Sequence, residues 1–247
     1  MVQESIDIII PYGGLGDSLF YSPLPRQLKQ SGVSKVNVHC LERFRSKDIK
    51  RVVWSMNPYV DDIYEHSKLP DKKISRNIRK NQKINLLSKI ARSYDIFSDL
   101  DLKPELYYRP KIIGSLVSKT IVDLNYVSFV GAFSKKEILS FVLKKKELIF
   151  INKPNWVGDS YGESITPKNL EHYIDIIHTA KEFLCFTSGG ATLADAINKK
   201  AICLYGFGQN KIFHHSNIHE YVNCSSKNLI ITFSIYTYLK LKRLFGV

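Results

Sequence analysis

Short apolar runs with the length of buried strands alternate along the chain with segments of helical periodicity. In the N-terminal quarter the strand-like runs cover residues 6–11, 36–41 and 60–64, and helical patterns cover residues 19–30 and 44–56. Pro23 and Pro25 either lie in the first turns of the helix at 19–30 or break it there. Strands that alternate with helices in this way are typical of a parallel sheet with helices on its faces. We therefore predict a doubly wound α/β unit at the beginning of the chain.

The same alternation starts again after a polar segment with two prolines at residues 99–110, which we interpret as a linker. The predicted strands are 120–124, 147–151, 183–186 and 201–205, and the predicted helices are 135–145, 167–179 (with Thr166 as its cap) and 191–198. Residues 153–166 are predicted to be a long loop. The sequence thus predicts an α/β fold with two Rossmann-like domains, residues 1–101 and 102–247, that face each other across a cleft. The C-terminal segment is expected to pack back on the body.

The most informative unit runs from residue 183 to residue 206. An apolar strand is followed by Thr187, Ser188, Gly189 and Gly190, then by a helical segment and a second apolar strand. Small residues let a ligand approach the backbone, and the first N–H groups of a helix have no partner within the helix. This turn is therefore a candidate anion site, most naturally for phosphate. Small residues also occur at such turns without any ligand, and that interpretation stays open.

A second glycine-containing turn lies at residues 13–18. Gly14 and Gly16 form a G-x-G pair, but Leu19 stands where a dinucleotide fingerprint has its third glycine. A carboxylate at Asp17 would repel a pyrophosphate and is better suited to accepting a proton. Asp is also a good helix N-cap, so the residues alone leave a catalytic and a capping role open.

The chain has 247 residues and a formal net charge of +13, which implies an acidic partner: nucleic acid, an anionic membrane or a phosphorylated substrate. No nucleic-acid recognition motif is present. The four cysteines have no CxxC spacing, which argues against a disulfide framework and a structural zinc site. The start of the chain does not resemble a signal peptide, and no apolar run has the length of a membrane span. We expect a cytoplasmic protein, or one peripheral to the inner face of the cytoplasmic membrane.

The basic segment, residues 68–92, carries nine Lys or Arg residues against one acid, Asp71. Its isoleucines and leucines fall at roughly helical spacing, so it is either a solvated helix face or a surface for acidic lipid headgroups or for an acceptor. His214, His215 and His219 include a pair with metal-ligand spacing. Because no third ligand is evident, they are better interpreted as loop histidines on the donor side than as a metal site.

Both glycine-containing turns resemble the motifs of the bacterial heptosyltransferases, glycosyltransferase family nine. The N-terminal motif reads Gly14-Leu15-Gly16-Asp17-Ser18-Leu19, and the C-terminal one reads Thr187-Ser188-Gly189-Gly190-Ala191-Thr192. The resemblance implies the GT-B fold and inverting transfer of a sugar from a nucleotide donor. It departs from the family at Thr187 and Thr192, where the family usually has an Asp and a His.

The resemblance also implies a role for each matched position. Asp17 would be the general base, and Gly14, Gly16 and Ser18 would form the loop on the acceptor or phosphate side. The donor would be bound by Thr187, Ser188, Gly189, Gly190 and Thr192. Asp159 and Glu163, in the predicted loop near Trp156, are candidates for the donor ribose.

This enzyme would need no metal or other cofactor, because a helix N-terminus can stabilise the leaving diphosphate. Its partners would be a nucleotide-sugar donor, a lipid-linked or phosphorylated glycan acceptor of lipopolysaccharide, lipooligosaccharide or capsule type, and an anionic membrane surface, but no nucleic acid. Two alternatives stay open: a GT-B relative with altered chemistry, such as a nucleotide-sugar epimerase, and a non-catalytic protein that binds nucleotides or polyanions.

Overall fold

The strands in the described part of the protein form two separate parallel sheets. The computed structural model describes residues 5–69, 86–96, 102–127, 129–209, 216–226 and 237. The first sheet has the order β1-β2-β3 and consists of β1 (Ser5–Ile10), β2 (Lys35–Cys40) and β3 (Asp62–Tyr64). All three strands coincide with predicted apolar runs. Ile8 and Val38 are paired in register and fully buried, as expected for a sheet covered by helices.

The described helices of this half do not have the bounds that the sequence predicts. They are α1 (Leu15–Tyr21), α2 (Leu24–Gln30), α3 (Lys47–Ile49), which continues as a π-helix (Lys50–Ser55), and α4 (Leu86–Arg92). The helical pattern at residues 19–30 forms two helices, because the chain breaks at Ser22 and Pro23, as the prolines in this segment allow. The Ser22 hydroxyl donates to the Leu19 carbonyl, and proline has no N–H to continue the helix.

The second sheet has six strands in the order β6-β5-β4-β7-β8-β9. They are β4 (Thr120–Asp123), β5 (Leu148–Ile151), β6 (Glu163–Ile165), β7 (Glu182–Phe186), β8 (Ala201–Tyr205) and β9 (Glu220–Asn223). The helices between them are α5 (Lys135–Val142), α6 (Leu170–Thr179) and α7 (Gly189–Ala196). Numbered from β4 onward, this is the order 3-2-1-4-5-6 of a dinucleotide-binding sheet.

Several features of this half were predicted wrongly. Residues 153–166 are not simply a loop, because they contain β6 at one edge of the sheet, and β9 at the other edge was missed as well. The helix predicted from residue 167 begins at Leu170, and its N-cap is Asn169, whose side chain accepts a hydrogen bond from the His172 N–H. Thr166 is therefore not the cap.

The two halves share one hydrophobic cluster. Ile8 of β1 and Leu19 of α1 belong to it, and so do Ile121 of β4 and Leu193 of α7. Val122, the next residue of β4, lies in a second cluster on the other face of the six-stranded sheet. The six-stranded sheet is therefore buried on both faces, and one of them joins the core of the first half.

Polar contacts also connect the halves. Arg51 of the π-helix forms an ion pair with Glu171 of α6, and Asp48 accepts a hydrogen bond from the Leu170 N–H at the start of that helix. The connecting segment contacts both sides, since Glu105 pairs with Arg26 at 2.6 Å and the Tyr108 hydroxyl donates to Asp175 at 3.0 Å. The boundary predicted at residue 101 lies just outside the described residues and stays a prediction. None of the helices in the described part of the chain has the length and apolarity needed to span a membrane.

Candidate functional site

The glycine-containing turn of the second half lies where the strand order of its sheet reverses. β4 and β7 are neighbours at the centre of the sheet, and the chain leaves them in opposite directions along the sheet to add the remaining strands. Ligands of such sheets bind in the crevice at the carboxyl ends of these two strands. Asp123 ends β4, and Thr187 directly follows β7, so the predicted donor turn occupies this position.

The first turn of α7 presents backbone donors at this crevice. Its N-cap is Ser188, which has an extended backbone and whose side chain makes no capping hydrogen bond. The N–H groups at the start of a helix have no acceptor within the helix, and the helix dipole makes this end electropositive. The Ser188 hydroxyl and the N–H groups of Gly189 and Gly190 are therefore suited to bind an anion. Thr192 faces back into the helix, where its hydroxyl lies 3.5 Å from the Ser188 carbonyl.

The two glycine-containing turns lie against each other. A Cβ atom placed on Gly16 would be 3.3 Å from the Gly189 Cα, and one placed on Gly189 would be 3.2 Å from the Gly16 nitrogen. The first turns of α1 and α7 are therefore in backbone contact, which larger residues would prevent. The structure thus brings together the two motifs that the sequence singles out.

Each of these turns also contains a fully buried hydroxyl group without a partner. Ser18 Oγ and Thr187 Oγ1 have no hydrogen-bond partner among the described residues. An unsatisfied buried polar group typically costs about 1–3 kcal/mol, so such atoms call for an explanation. Both turns therefore contain a buried hydroxyl group that has no hydrogen-bond partner in the described part of the chain.

Asp17 lies in the first turn of α1 and is half-buried. Burial raises the pKa of its carboxyl group above the usual value, and the nearby Glu42 adds to this effect, whereas Arg45 lowers it. The N-cap of α1 is Gly14, not Asp17, and it makes no side-chain capping bond. The capping role considered from the sequence therefore does not apply. A half-buried carboxylate with a raised pKa is suited to accept a proton.

The space for this carboxylate depends on Gly14. A Cβ atom on Gly14 would lie 2.8 Å from Asp17 Oδ2 and 3.6 Å from Arg45 Nη1. The Arg45 N–H also donates to the Gly13 carbonyl at 2.9 Å, which fixes the arginine loop against the turn. The carboxylate and the guanidinium group therefore both lie over a position that has no side chain.

Sequence reasoning missed the buried carboxylate behind the donor turn, Asp123. Tyr173 donates a hydrogen bond of 2.5 Å to its Oδ2, and Asn125 donates to its Oδ1 from both the backbone and the side chain. Burial raises the pKa of Asp123, although these hydrogen bonds act in the opposite direction. A Cβ on Gly190 would be 2.6 Å from the Tyr173 hydroxyl oxygen, so Asp123 and Tyr173 form the wall behind the first turn of α7. The sequence signal was an Asp at the end of an apolar strand, two residues before an Asn.

The structure does not bring Asp159 and Glu163 to this site. Both lie at or before the beginning of β6, which is separated from β7 by β5 and β4, a distance of about 14 Å across the sheet. Asp159 is fully exposed and its nearest cation is Lys153. Their predicted role at the donor ribose stays a prediction, and this placement does not support it.

Both ring nitrogens of His219 are hydrogen-bonded to the backbone of neighbouring elements. Its Nδ1 accepts a hydrogen bond from the Ala201 N–H at 3.2 Å, so Nε2 carries the proton and donates to the Ala191 carbonyl at 2.8 Å. Burial lowers the pKa of this imidazole. His214 and His215 lie outside the described residues. Within the described ranges, no three His, Cys, Asp or Glu side chains are grouped as metal ligands.

No protein-family model matches the sequence, and no curated protein matches it. Several solved structures nevertheless share its fold. A glycosyl transferase family 9 protein from Veillonella parvula superposes with a TM-score of 0.59 at 11% identity, over 97% of this chain and 90% of that one. E. coli heptosyltransferase WaaC with ADP superposes with a TM-score of 0.58 at 12% identity, over 98% of this chain and 99% of WaaC.

A third structure is the glycosyltransferase TibC from enterotoxigenic E. coli, with a TM-score of 0.60 at 16% identity. The match covers 88% of this chain but only 62% of TibC. At these identities the likeness concerns the fold alone. The α/β class predicted from the sequence is confirmed, and the chain has the fold of the family nine glycosyltransferases that its two motifs resemble.

Proposed function

We propose that the protein is a glycosyltransferase that moves a sugar from a nucleotide-sugar donor to a hydroxyl group of a cell-surface glycan. One observation carries the proposal: the turn that holds Asp17 is in contact with the turn at the start of α7. In this proposal Asp17 is the proton acceptor on one side of the crevice, and the first turn of α7 binds the diphosphate on the other side. Solved structures with this fold include WaaC with ADP-2-deoxy-2-fluoro heptose and TibC with ADP-D-beta-D-heptose, which supports a nucleotide sugar as donor here.

In this proposal the donor diphosphate binds at the first turn of α7. Ser188 contributes its hydroxyl, and Gly189 and Gly190 contribute backbone N–H groups. As the bond between the anomeric carbon and the diphosphate oxygen breaks, negative charge develops on the leaving oxygen. Fixed backbone dipoles can stabilise that charge without reorganisation and without a metal ion.

Asp17 acts as the general base on the other side of the crevice. Its carboxylate takes the proton of the acceptor hydroxyl while that oxygen attacks the anomeric carbon from the face opposite the leaving group, which inverts the configuration. Asp123 is a poor alternative for this role, because it is buried and its oxygens accept hydrogen bonds from Tyr173 and Asn125. Thr187 stands where the resembling family has an acid, so the proposal does not name heptose as the sugar.

The proposed acceptor is a lipid-linked or phosphorylated glycan of lipopolysaccharide, lipooligosaccharide or capsule type, reached at an anionic membrane surface. The net charge of +13 supports an acidic partner. Most of the basic segment lies outside the described residues. In its described end, α4, the side chains of Leu87 and Ile90 are buried. A non-catalytic nucleotide-binding protein or a nucleotide-sugar epimerase is the alternative.

A thermal-shift screen of nucleoside diphosphates and nucleotide sugars tests the proposal, because a ligand that binds only the folded state raises the melting temperature. The expected result is stabilisation by one nucleotide sugar and its nucleoside diphosphate, followed by release of that diphosphate when acceptor glycans are added. Binding without any transfer would support the non-catalytic alternative, and conversion of the sugar without an acceptor would support an epimerase. Absence of any nucleotide binding would contradict the proposal.

A further inference from the structure

A charged surface lies at the opposite end of the six-stranded sheet from the proposed donor site. It consists of the segments that lead into β4, β5 and β7, which are residues 111–119, 143–147 and 181–182. Backbone hydrogen bonds join them: the Lys181 N–H donates to the Lys119 carbonyl at 2.9 Å, and the Thr120 N–H donates to the Glu147 carbonyl at 3.1 Å. These segments therefore form one continuous surface, which we call the amino-edge surface.

The amino-edge surface is strongly basic. Its two acids are Glu147 and Glu182, and its six lysines are Lys111, Lys119, Lys144, Lys145, Lys146 and Lys181. Both glutamates already face a lysine, at 3.6 Å from Lys119 and 3.2 Å from Lys145. The surface thus retains an excess of four positive charges, six minus two, and complements an anionic partner.

The same surface exposes aliphatic side chains among the lysines. Ile112 is 64% exposed, Val117 53% and Leu143 38%. Exposed apolar side chains are ordinary when scattered, but here three of them lie on the segments that carry the charge. Lysines bind anionic headgroups, and aliphatic side chains between them enter the boundary of the acyl chains.

We propose that the amino-edge surface docks on an anionic lipid bilayer. A nucleic acid would meet the lysines but would leave the aliphatic side chains in water, and the large exposed apolar residues of this surface include no aromatic ring for base stacking. Because the donor turn lies at the carboxyl ends of the same strands, docking would leave the crevice open. The inference rests on the anionic membrane surface of the proposed function, for which it names the contact, but vesicle binding can be measured whether or not the chain transfers a sugar.

Cosedimentation with vesicles tests this assignment. The parent chain is expected to bind vesicles of phosphatidylcholine mixed with phosphatidylglycerol but not vesicles of pure phosphatidylcholine. Added salt should release it from the mixed vesicles. Replacing three exposed lysines of the surface (K144E/K146E/K181E) should weaken vesicle binding at least about tenfold, because each lysine near an anionic membrane contributes to the electrostatic attraction. A second variant, V117S/L143S, should weaken binding without changing its salt dependence.

The matched control, K47E/K103E/K168E, makes the same change of charge at exposed lysines elsewhere and should bind like the parent. Equal losses in both triple variants would mean that net charge alone drives binding and would overturn the assignment. Absence of parent binding, or undiminished binding by the amino-edge variant, would overturn it as well. If only K72E/K73E/R79E/K80E loses binding, the basic segment is the membrane contact and the amino-edge surface is not. Melting temperatures of all variants establish that each one is folded.

Discussion

The hydroxyl group of Tyr173 donates a 2.5 Å hydrogen bond to the carboxylate of Asp123, directly behind Gly190 in the first turn of α7. A tyrosine on α6 and an aspartate at the end of β4 thereby fix the wall against which the proposed donor turn is built. Burial raises the pKa of the tyrosine as well as that of the aspartate. This pair can be tested without knowledge of any substrate.

Replacing Tyr173 with Phe should lower the free energy of unfolding by about 1–3 kcal/mol, because the buried carboxylate loses a donor. Urea denaturation measures the change. The control is Tyr161→Phe, which removes a hydroxyl from an exposed side chain and should change stability by less than about 0.5 kcal/mol. Equal effects at both positions would contradict the importance of the buried hydrogen bond.

The Asp123 carboxyl should also make stability depend on pH. Because its pKa is raised in the folded state, the folded protein holds this proton more tightly than the unfolded chain does. The resulting stabilisation is fully present below the ordinary pKa of 3.8 and is lost as the pH rises through the folded-state pKa. Asp123→Asn should abolish this part of the pH dependence in urea titrations performed between acidic and neutral pH. A variant with the parent's full pH dependence would exclude Asp123 as its source.

Replacing Gly189 with Ala should separate the two turns. Its new Cβ would lie 3.2 Å from the Gly16 nitrogen, so the two backbone segments would have to move apart by a few tenths of an ångström. We expect a loss of about 1–3 kcal/mol in stability and weaker nucleotide binding by calorimetry. Gly114→Ala is the matched control, because a Cβ there meets nothing within 4 Å. Nucleotide affinity equal to the parent's in Gly189→Ala would show that the contact between turns does not shape the donor site.

Asp17→Asn tests the proposed base. The substitution keeps the size of the side chain and removes the proton acceptor, so transfer should fall by about 10²–10⁴-fold while nucleotide binding persists. Single-turnover assays with the identified donor measure the first quantity, and calorimetry measures the second. Transfer within a few-fold of the parent would rule out Asp17 as the base.

Arg45→Gln tests the electrostatic setting of that base. Since Arg45 lowers the pKa of Asp17, its removal should raise this pKa further. The base is active when deprotonated, so the acidic limb of the pH profile of kcat/KM should move to higher pH, and the plateau should also be reached at a higher pH. The measurement is a pH–rate profile of parent and variant. A limb that stays in place would mean that another group controls it.

The central strands and the donor turn could be predicted because patterns of neighbouring residues in the sequence are enough to indicate them. Continuous apolar runs such as those of β7 and β8 are typical of strands buried on both faces. The helix after the donor turn was predicted as well, although α7 begins at Gly189, two residues before the predicted start. The edge strand β6 could not be recognised, since Glu163, Ser164 and Ile165 are mostly exposed and carry no apolar pattern. A loop can reach many places, so a predicted loop is compatible with Asp159 and Glu163 near the donor. In the structure Glu163 begins β6 at the edge of the sheet, and Asp159 lies just before this strand.

The remaining differences come from tertiary contacts. Gly14 can serve as N-cap of α1 without a capping side chain, which moved the start of the helix ahead of the predicted one. Asp123 carries no sign in the sequence that a tyrosine fifty residues later will bond to it. The contact between Gly16 and Gly189 likewise depends on how the halves pack. Sequence motifs indicated both turns, but only the fold shows that they meet.

The position of β9 has a consequence for how the chain behaves in solution. This strand pairs with β8 along the side that would otherwise be open, and the buried imidazole of His219 ties its start to β8 and α7. A protein cut before residue 216 would present the N–H and C=O groups of β8, an apolar strand, as a bare edge. Such edges pair with strands of other molecules, so β9 also protects the protein from aggregation by covering the edge of β8.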